Sequence, residues 1–379
     1  MKFTHYHSIC ALSDSAHSLM QQQSHNNLYL SKLWFSTMLS AGLETDAKVS
    51  IYAVESESDD CLALLLLRSP AGQNGSKFSK WVQSKHSLAS LTNFQASFYA
   101  VLIDTEADGA VQIIETLVKK LSELKPAIHL IDLNLMSSHS VVYQTLHRQF
   151  KHSGFSSFPY VYKGNWFESF NFASFDEYLS ARSKSNKKSI KNYQRKQRKL
   201  AREGRLVVKM FSSQEQVDEA LAVYEQIYCS SWKQADLFDG FYPQLIKATA
   251  VQGSLRFLCL YVDEQPVAFE FAIVTGTQCV MMRTAYIQSY QNESVGSIAI
   301  LLMIQHVIEH DKITQIDFGT DDDRYKSTWV TERRERCGIV SFNRYTPLGR
   351  FYWTLFTIDK IKESVKNKMK LILNSKVDS

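Results

Sequence analysis

The chain has 379 residues, 45% of them hydrophobic and 12% aromatic, with a net charge of +5. That length is long for one ordinary domain and suits two, and the apolar fraction supports real cores and excludes a disordered or fibrous chain. The charge is uneven. Between Arg182 and Lys209 twelve basic residues face the single acid Glu203, so this stretch carries +11 and the rest of the chain nets −6.

In chain order, residues 28–43 carry apolar side chains at helical spacing (Leu30, Leu33, Trp34, Met38) and stop at Gly42, which predicts a helix. Strands follow at 49–54 and 61–68, joined by an acidic turn. Gly72, Asn74 and Gly75 mark a loop. A segment at 87–94 leads into an aromatic strand at 98–103. The 110–124 stretch has Val111, Ile114, Leu117, Val118 and Leu121 on one helical face. A strand at 128–133 and a helix at 140–150, closed by Gly154, complete a first α/β domain, 1–165. The second domain, 166–379, opens with a helix at 176. The basic run, 182–204, reads as a helix stopped by Gly204. Then come a strand at 206–211 and helices at 214–232 and 242–251. From Leu255 to Trp329 the pattern is strand, turn, strand, turn, strand, short loop, apolar helix, strand and charged turn. A basic amphipathic helix at 351–373 ends the chain. The two halves share this coarse alternation without a residue-level repeat.

Six cysteines, at 10, 61, 229, 259, 279 and 337, show neither Cys-x-x-Cys spacing nor a cluster with histidine. This argues against a metal centre and for reduced, mostly buried thiols. The N-terminal stretch lacks a secretory apolar core, and the run Cys61–Leu67 is too short to span a bilayer. A soluble cytoplasmic protein is expected.

The order of short motifs is the most specific signal. It comprises Val267-Ala268-Phe269, Thr284-Ala285-Tyr286, Ser294-Val295-Gly296, Ile316-Asp317-Phe318-Gly319 and Tyr325-Lys326-Ser327-Thr328-Trp329. Together these resemble the GCN5-related N-acetyltransferase (GNAT) superfamily, in its branch of bacterial CelD-like and FemAB-like proteins. Ser90-Leu91-Thr92-Asn93-Phe94 resembles the N-terminal half of the CelD-like proteins. Val295 departs from the proline usual in that family, which loosens the helix entrance. Ile287 departs from a frequent aspartate. The resemblance implies tandem GNAT-like α/β domains, each a mixed twisted sheet flanked by helices. It also implies acetyl-CoA or another acyl-CoA as co-substrate, and direct attack by an amine in a ternary complex. The first domain would be a degenerate partner shaping the substrate groove.

Acyl transfer to an amine needs a base, a stabilised oxyanion and a leaving thiolate. Glu270 is the first candidate base: strand alternation groups it with Ala268 and Ala272, a small-residue face that suits a groove, or else it faces solvent. Asp317, ending a strand before Phe318-Gly319, is the second, or else it caps the following turn. Ser294, Gly296 and Ser297 are candidates for the CoA pyrophosphate, through backbone N–H groups at a helix N-terminus. Lys326 is a candidate point charge for an anionic group, with Arg283, Tyr286 and Trp329 in the same proposed substrate groove. Asp321, Asp322 and Asp323 read as a solvated turn rather than a metal site, because consecutive carboxylates diverge.

Three readings of the basic helix stay open: nucleic-acid phosphates, an anionic acceptor or membrane surface, or a solvated helix. Tyr193 is its only aromatic, so it carries no stacking ladder for single strands. The first functional expectation is an acyl-CoA-dependent N-acyltransferase. Its acceptor would be an amine on a sugar or on a polysaccharide or cell-envelope precursor, at the inner face of a membrane or beside a polysaccharide synthase complex. The alternatives are a FemAB-like transferase using aminoacyl-tRNA to extend peptidoglycan precursors, and a non-catalytic accessory protein of polysaccharide synthesis. The acceptor class is implied by the resemblance alone.

Overall fold

Serine hydroxyls open several helices. Ser13, Ser31, Ser140 and Ser183 each accept the backbone N–H three residues on, at 3.2, 3.0, 3.1 and 3.2 Å, satisfying a donor that the helix itself leaves free. Gly154 and Gly204 end two helices with φ of +86° and +68°, a conformation that costs a side-chain-bearing residue more. The computed structural model describes residues 1–25, 27–69, 86–104, 109–169, 172 and 174–375, with side chains described as far as Lys362. The predicted loop at Gly72, Asn74 and Gly75 lies outside the described residues, as do the side chains beyond Lys362 in the last predicted helix.

The first half runs β1 (Lys2–Tyr6), α1 (Asp14–Ser24), α2 (Lys32–Ala41), β2 (Val49–Glu55), β3 (Cys61–Arg68), β4 (Ser87–Ser90), β5 (Leu102–Ile103), α3 (Ala110–Glu123), β6 (Leu130–Met136), α4 (Val141–His152) and β7 (Phe155–Ser169). The second half opens with α5 (Phe175–Ser180), α6 (Lys184–Arg202), β8 (Leu206–Phe211), α7 (Val217–Cys229), α8 (Phe241–Val251), β9 (Leu255–Val262) and β10 (Gln265–Thr275). It continues with β11 (Gln278–Tyr286), α9 (Val295–Glu309), β12 (Gln315–Thr320), α10 (Lys326–Trp329), β13 (Glu332–Asn343) and α11 (Pro347–Ser375).

All the strands join one mixed sheet in the order β1-β2-β3-β4-β6-β13-β7-β12-β11-β10-β9-β8, with β5 also on β3. This order is symmetric about the β13–β7 pair. Each half has an antiparallel meander, then a parallel pair (β4 with β6, β11 with β12) joined through a crossover helix, α3 or α9. Each half then gives its last strand to the other: β7 pairs with β12, and β13 pairs with β6. The fold is therefore a tandem of GNAT-like α/β units, mixed sheet flanked by helices. The boundary expected at 165/166 falls inside β7.

The aromatic residues are mostly core. Phe257, Phe269 and Phe271 on one sheet face pack with Tyr224 of α7 and Tyr242 of α8, and Ala268 and Ala272 on the other face pack with α9. α6 is anchored by buried Ile190 and Leu200 and by Tyr193 against Trp329. Arg182, the first base of the basic run, is buried in a two-pronged pair with Glu168. Lys184, Lys188, Lys191, Arg195, Arg198, Lys199 and Arg202 remain exposed. α11 packs through Phe356 onto Val340 and Phe342. Among the described residues no helix is long and apolar enough to cross a membrane, and no cluster of three metal-ligating side chains occurs.

Candidate active site

The site begins where two parallel strands part. β11 and β12 pair only at Gln278–Val280 against Gln315–Asp317. Beyond that, β11 follows β10 to Tyr286 and β12 follows β7 to Thr320. A register shift opposite Phe271/Ala272 leaves Met282 as an extra residue in β11. Such a bulge re-aims side chains, and Met281, Met282, Arg283 and Thr284 all line the opening. The opening is a cavity of about 530 Å³. Phe318, Gly319 and Thr320 form its opposite wall, and Tyr29, Phe94, Gln95 and Ser97 of the first half close one side.

The corresponding gap in the first half is closed by its own chain. β4 and β5 both pair with β3, and the chain loops out between them. In that loop Tyr99 donates its N–H to Leu135 O at 3.0 Å and its hydroxyl to Leu66 O at 2.7 Å. The strand expected at 98–103 is thereby shortened to β5. The same loop carries Phe94, Gln95 and Ser97 into the second half's cavity.

Glu270 lies inside this cavity, only 2% exposed, and Thr284 is its cross-strand partner. Its Oε2 has no hydrogen-bond partner, nor does Thr284 Oγ1. Burial pushes the carboxyl up to about 8, against the weaker opposing pull of the Thr284 hydroxyl and the Lys233 ammonium. A buried carboxyl oxygen without a partner disfavours the charged form, which is why the group keeps its proton well above the usual carboxylate range.

The other predicted residues divide. Arg283 lines the cavity but is clamped: its guanidinium bonds Asp236 Oδ1 at 3.0 Å from both Nη atoms and stacks 4.4 and 4.2 Å from the Tyr228 and Tyr242 rings. Lys326 also lines it, buried, with Nζ bonded to the carbonyls of Thr320 and Asp321 and 3.1 Å from Asp323. Asp317 lies outside the cavity lining. Its Oδ1 accepts from Asn165 at 2.8 Å and from Gly319 N at 2.7 Å, and its Oδ2 from Arg334 at 2.9 Å. Both oxygens are thus engaged in holding the Gly319 turn, where φ is +77°, and this is the turn-capping alternative rather than a free base. Trp329 is core, 1% exposed, with its carbonyl accepting from Tyr178 and Arg182.

Ser294, Gly296 and Ser297 sit at the start of α9. Ser294 takes the left-handed conformation (φ +60°), and the N–H groups of Val295, Gly296 and Ser297 lie in the first turn, with no intrahelical acceptor. Gly296 has a second reason to be glycine. A Cβ there would lie 2.6 Å from Tyr286 Cδ1, so Tyr286 covers the helix start instead of entering the cavity. Its ring in turn lies 4.2 Å from that of Trp232, tilted by 43°.

Two cations escaped the sequence reading. Lys196 of α6 donates to Asn292 O at 2.6 Å and Ser294 Oγ at 2.8 Å, bringing a positive charge to the α9 N-terminus. Lys233, on the loop between α7 and α8, is half-buried in the cavity wall, and burial followed by the Arg283 charge lowers its pKa. The signal for Lys196 was its place in the basic run; nothing local marks Lys233.

Residues 187–327 match the family model of the acetyltransferase (GNAT) domain. No curated protein matches the chain in sequence. Among solved structures, FemX aligns with a TM-score of 0.59 at 10% identity, covering 93% of this chain and 99% of its own. A conserved protein of unknown function from Bacteroides thetaiotaomicron aligns at 0.55 and 9% identity, covering 90% and 100%. L-PGS from Bacillus licheniformis aligns at 0.50 and 11% identity, covering 92% and 96%. At such identities the likeness is one of fold.

Proposed function

We propose, for a chain that carries a GNAT acetyltransferase domain at residues 187–327, that it transfers an acyl group from acyl-CoA to an amine held beside Glu270. The observation that carries this reading is the parting of β11 and β12 onto Glu270, a buried carboxyl whose Oε2 has no partner.

The residues present fit such a donor. The free N–H groups of Val295, Gly296 and Ser297, the helix dipole and Lys196 would hold a pyrophosphate. The unpaired edge of β11 past Val280 offers backbone groups to a carbonyl. Acyl-CoA supplies an activated thioester. Glu270 in its ionised form takes the proton that the amine loses as the new C–N bond forms and the C–S bond breaks. Arg283 and Asp236 fix the cavity wall, and Asp317 fixes the turn opposite.

The acceptor we infer is an amine on a sugar or on a polysaccharide or cell-envelope precursor, delivered at an anionic membrane surface or by a synthase complex. The first half serves as wall rather than as a second donor site, since its own chain fills the matching gap. A second reading is favoured by the exposed basic face of α6 and the fold shared with FemX. It is a transferase drawing its acyl group from aminoacyl-tRNA, whose binding would weaken steeply with salt. A non-catalytic accessory role is the third, and it leaves the orphaned Glu270 without purpose.

Amine-dependent release of the CoA thiol from acetyl-CoA tests the reading. Wild-type protein should release it, and Glu270→Gln should lower kcat by about 10²- to 10⁴-fold while leaving acetyl-CoA affinity intact. Full activity in that variant would remove Glu270 from the chemistry.

A further inference from the structure

The charges around the cavity are paired with two exceptions. Arg283 is matched by Asp236, Lys326 by Asp323 and Asp321 by Lys163. Glu270 Oε2 has no partner, and Lys233 Nζ makes no hydrogen bond or ion pair among the described residues. Lys233 Nζ lies 5.6 Å from the centroid of the Trp232 ring. Both groups line the same cavity, and no hydrogen bond or ion pair joins them. A buried carboxyl with an unpartnered oxygen and a half-buried ammonium, both facing one cavity, are satisfied together by a ligand that carries an amine and an anionic group.

Lys233 is not placed to serve the donor's pyrophosphate. It hangs from the α7–α8 loop, which is held by Asp236 on Arg283 and by the bridge from Ser231 to Ile287. The α9 start has its own cation in Lys196, and residues 292–297 are absent from the cavity lining.

We propose that the acceptor is a small molecule bearing both the reacting amine and an anionic group, a carboxylate or a phosphate, and that Lys233 seats the anion while Glu270 faces the amine. This rests on the acyl-transfer reading for the role of Glu270. It narrows that reading by excluding amino sugars that lack an anionic group as the preferred acceptor.

Calorimetry on the full chain, with and without CoA, tests it on two matched pairs: glycine against glycinamide, and glucosamine 6-phosphate against glucosamine. The member that bears the carboxylate or phosphate should, in at least one pair, bind about tenfold or more tightly than the member that lacks it, the weight of one charge-assisted hydrogen bond in a sheltered site. Which pair responds identifies carboxylate or phosphate. Lys233→Met should erase that preference and Lys233→Arg should keep it, with acetyl-CoA affinity unchanged in both. Equal binding within both pairs, no binding of either member that bears the carboxylate or phosphate, or an equal loss for both members in Lys233→Met would overturn the proposal. So would a matching loss of acetyl-CoA affinity, which would give Lys233 to the donor. Wild-type protein that shows the anion preference but ignores acetyl-CoA would break the donor reading and leave this one standing.

Discussion

Glu270 concentrates the chemistry in one side chain. Its free value of 4.5 rises to about 8 because burial penalises the charged form. The base is the ionised form, so transfer should increase as pH rises through about 8 and level off above it, and Glu270→Gln should flatten that profile. Stability runs the other way. Between about 4.5 and 8 the folded state keeps a proton that the unfolded chain has released, so this group's contribution falls as pH rises across that window. Thermal unfolding should therefore show Glu270→Gln stabilised by a few degrees above pH about 8 and unchanged below pH about 4.5. A variant equally stable to wild type at both ends would deny the carboxyl its buried, raised state. The residue was legible because strand alternation is local: Ala268 and Ala272 flank it on one face. Lys233 was not, because its place depends on a loop tied to β11 by Asp236 and Arg283, 47 residues apart in sequence.

At the scale of elements, the β11–α9–β12 unit was readable in outline, since two strands and an apolar helix announce themselves by pattern. What the pattern hid was why Gly296 is a glycine. Packing of Tyr286 over it accounts for the missing side chain without any ligand. Gly296→Ala should cost about 1–3 kcal/mol by overpacking, read from the denaturation midpoint, and Tyr286→Ala in the same chain should recover most of that. A Gly296→Ala protein of wild-type stability would mean the ring moves freely. β7 and β13 escaped notice for different reasons. Pro159 and Gly164 interrupt the first, and the second opens with Glu332, Arg333, Arg334 and Glu335, whose arginines are paired with Asp322 and Asp317. A strand that carries its charges into ion pairs looks like a loop in sequence.

Across the whole molecule, exchange of β7 and β13 welds the halves into one sheet. Strand order is set by contacts far apart in the chain, so a division at 165/166 was the simplest reading of two similar runs of elements. The exchange makes the halves interdependent: β6, with every residue buried, keeps β4 but loses its other neighbour if β13 is absent. A fragment of residues 1–165 should therefore stay unfolded or aggregate alone and gain structure when mixed with 166–379, as followed by circular dichroism. Independent folding of 1–165 would contradict the exchange. The same joining of the halves brings Phe94, Gln95 and Ser97 of the first half to the wall of the second half's cavity.

The donor is the central claim, and acetyl-CoA binding by calorimetry tests it most directly. Wild-type protein should bind with micromolar affinity, and Lys196→Ala should weaken binding by about tenfold, the loss of one charge-assisted contact at the start of α9. No heat of binding from the wild type would contradict the account, and an unchanged Lys196→Ala would move the pyrophosphate away from α9.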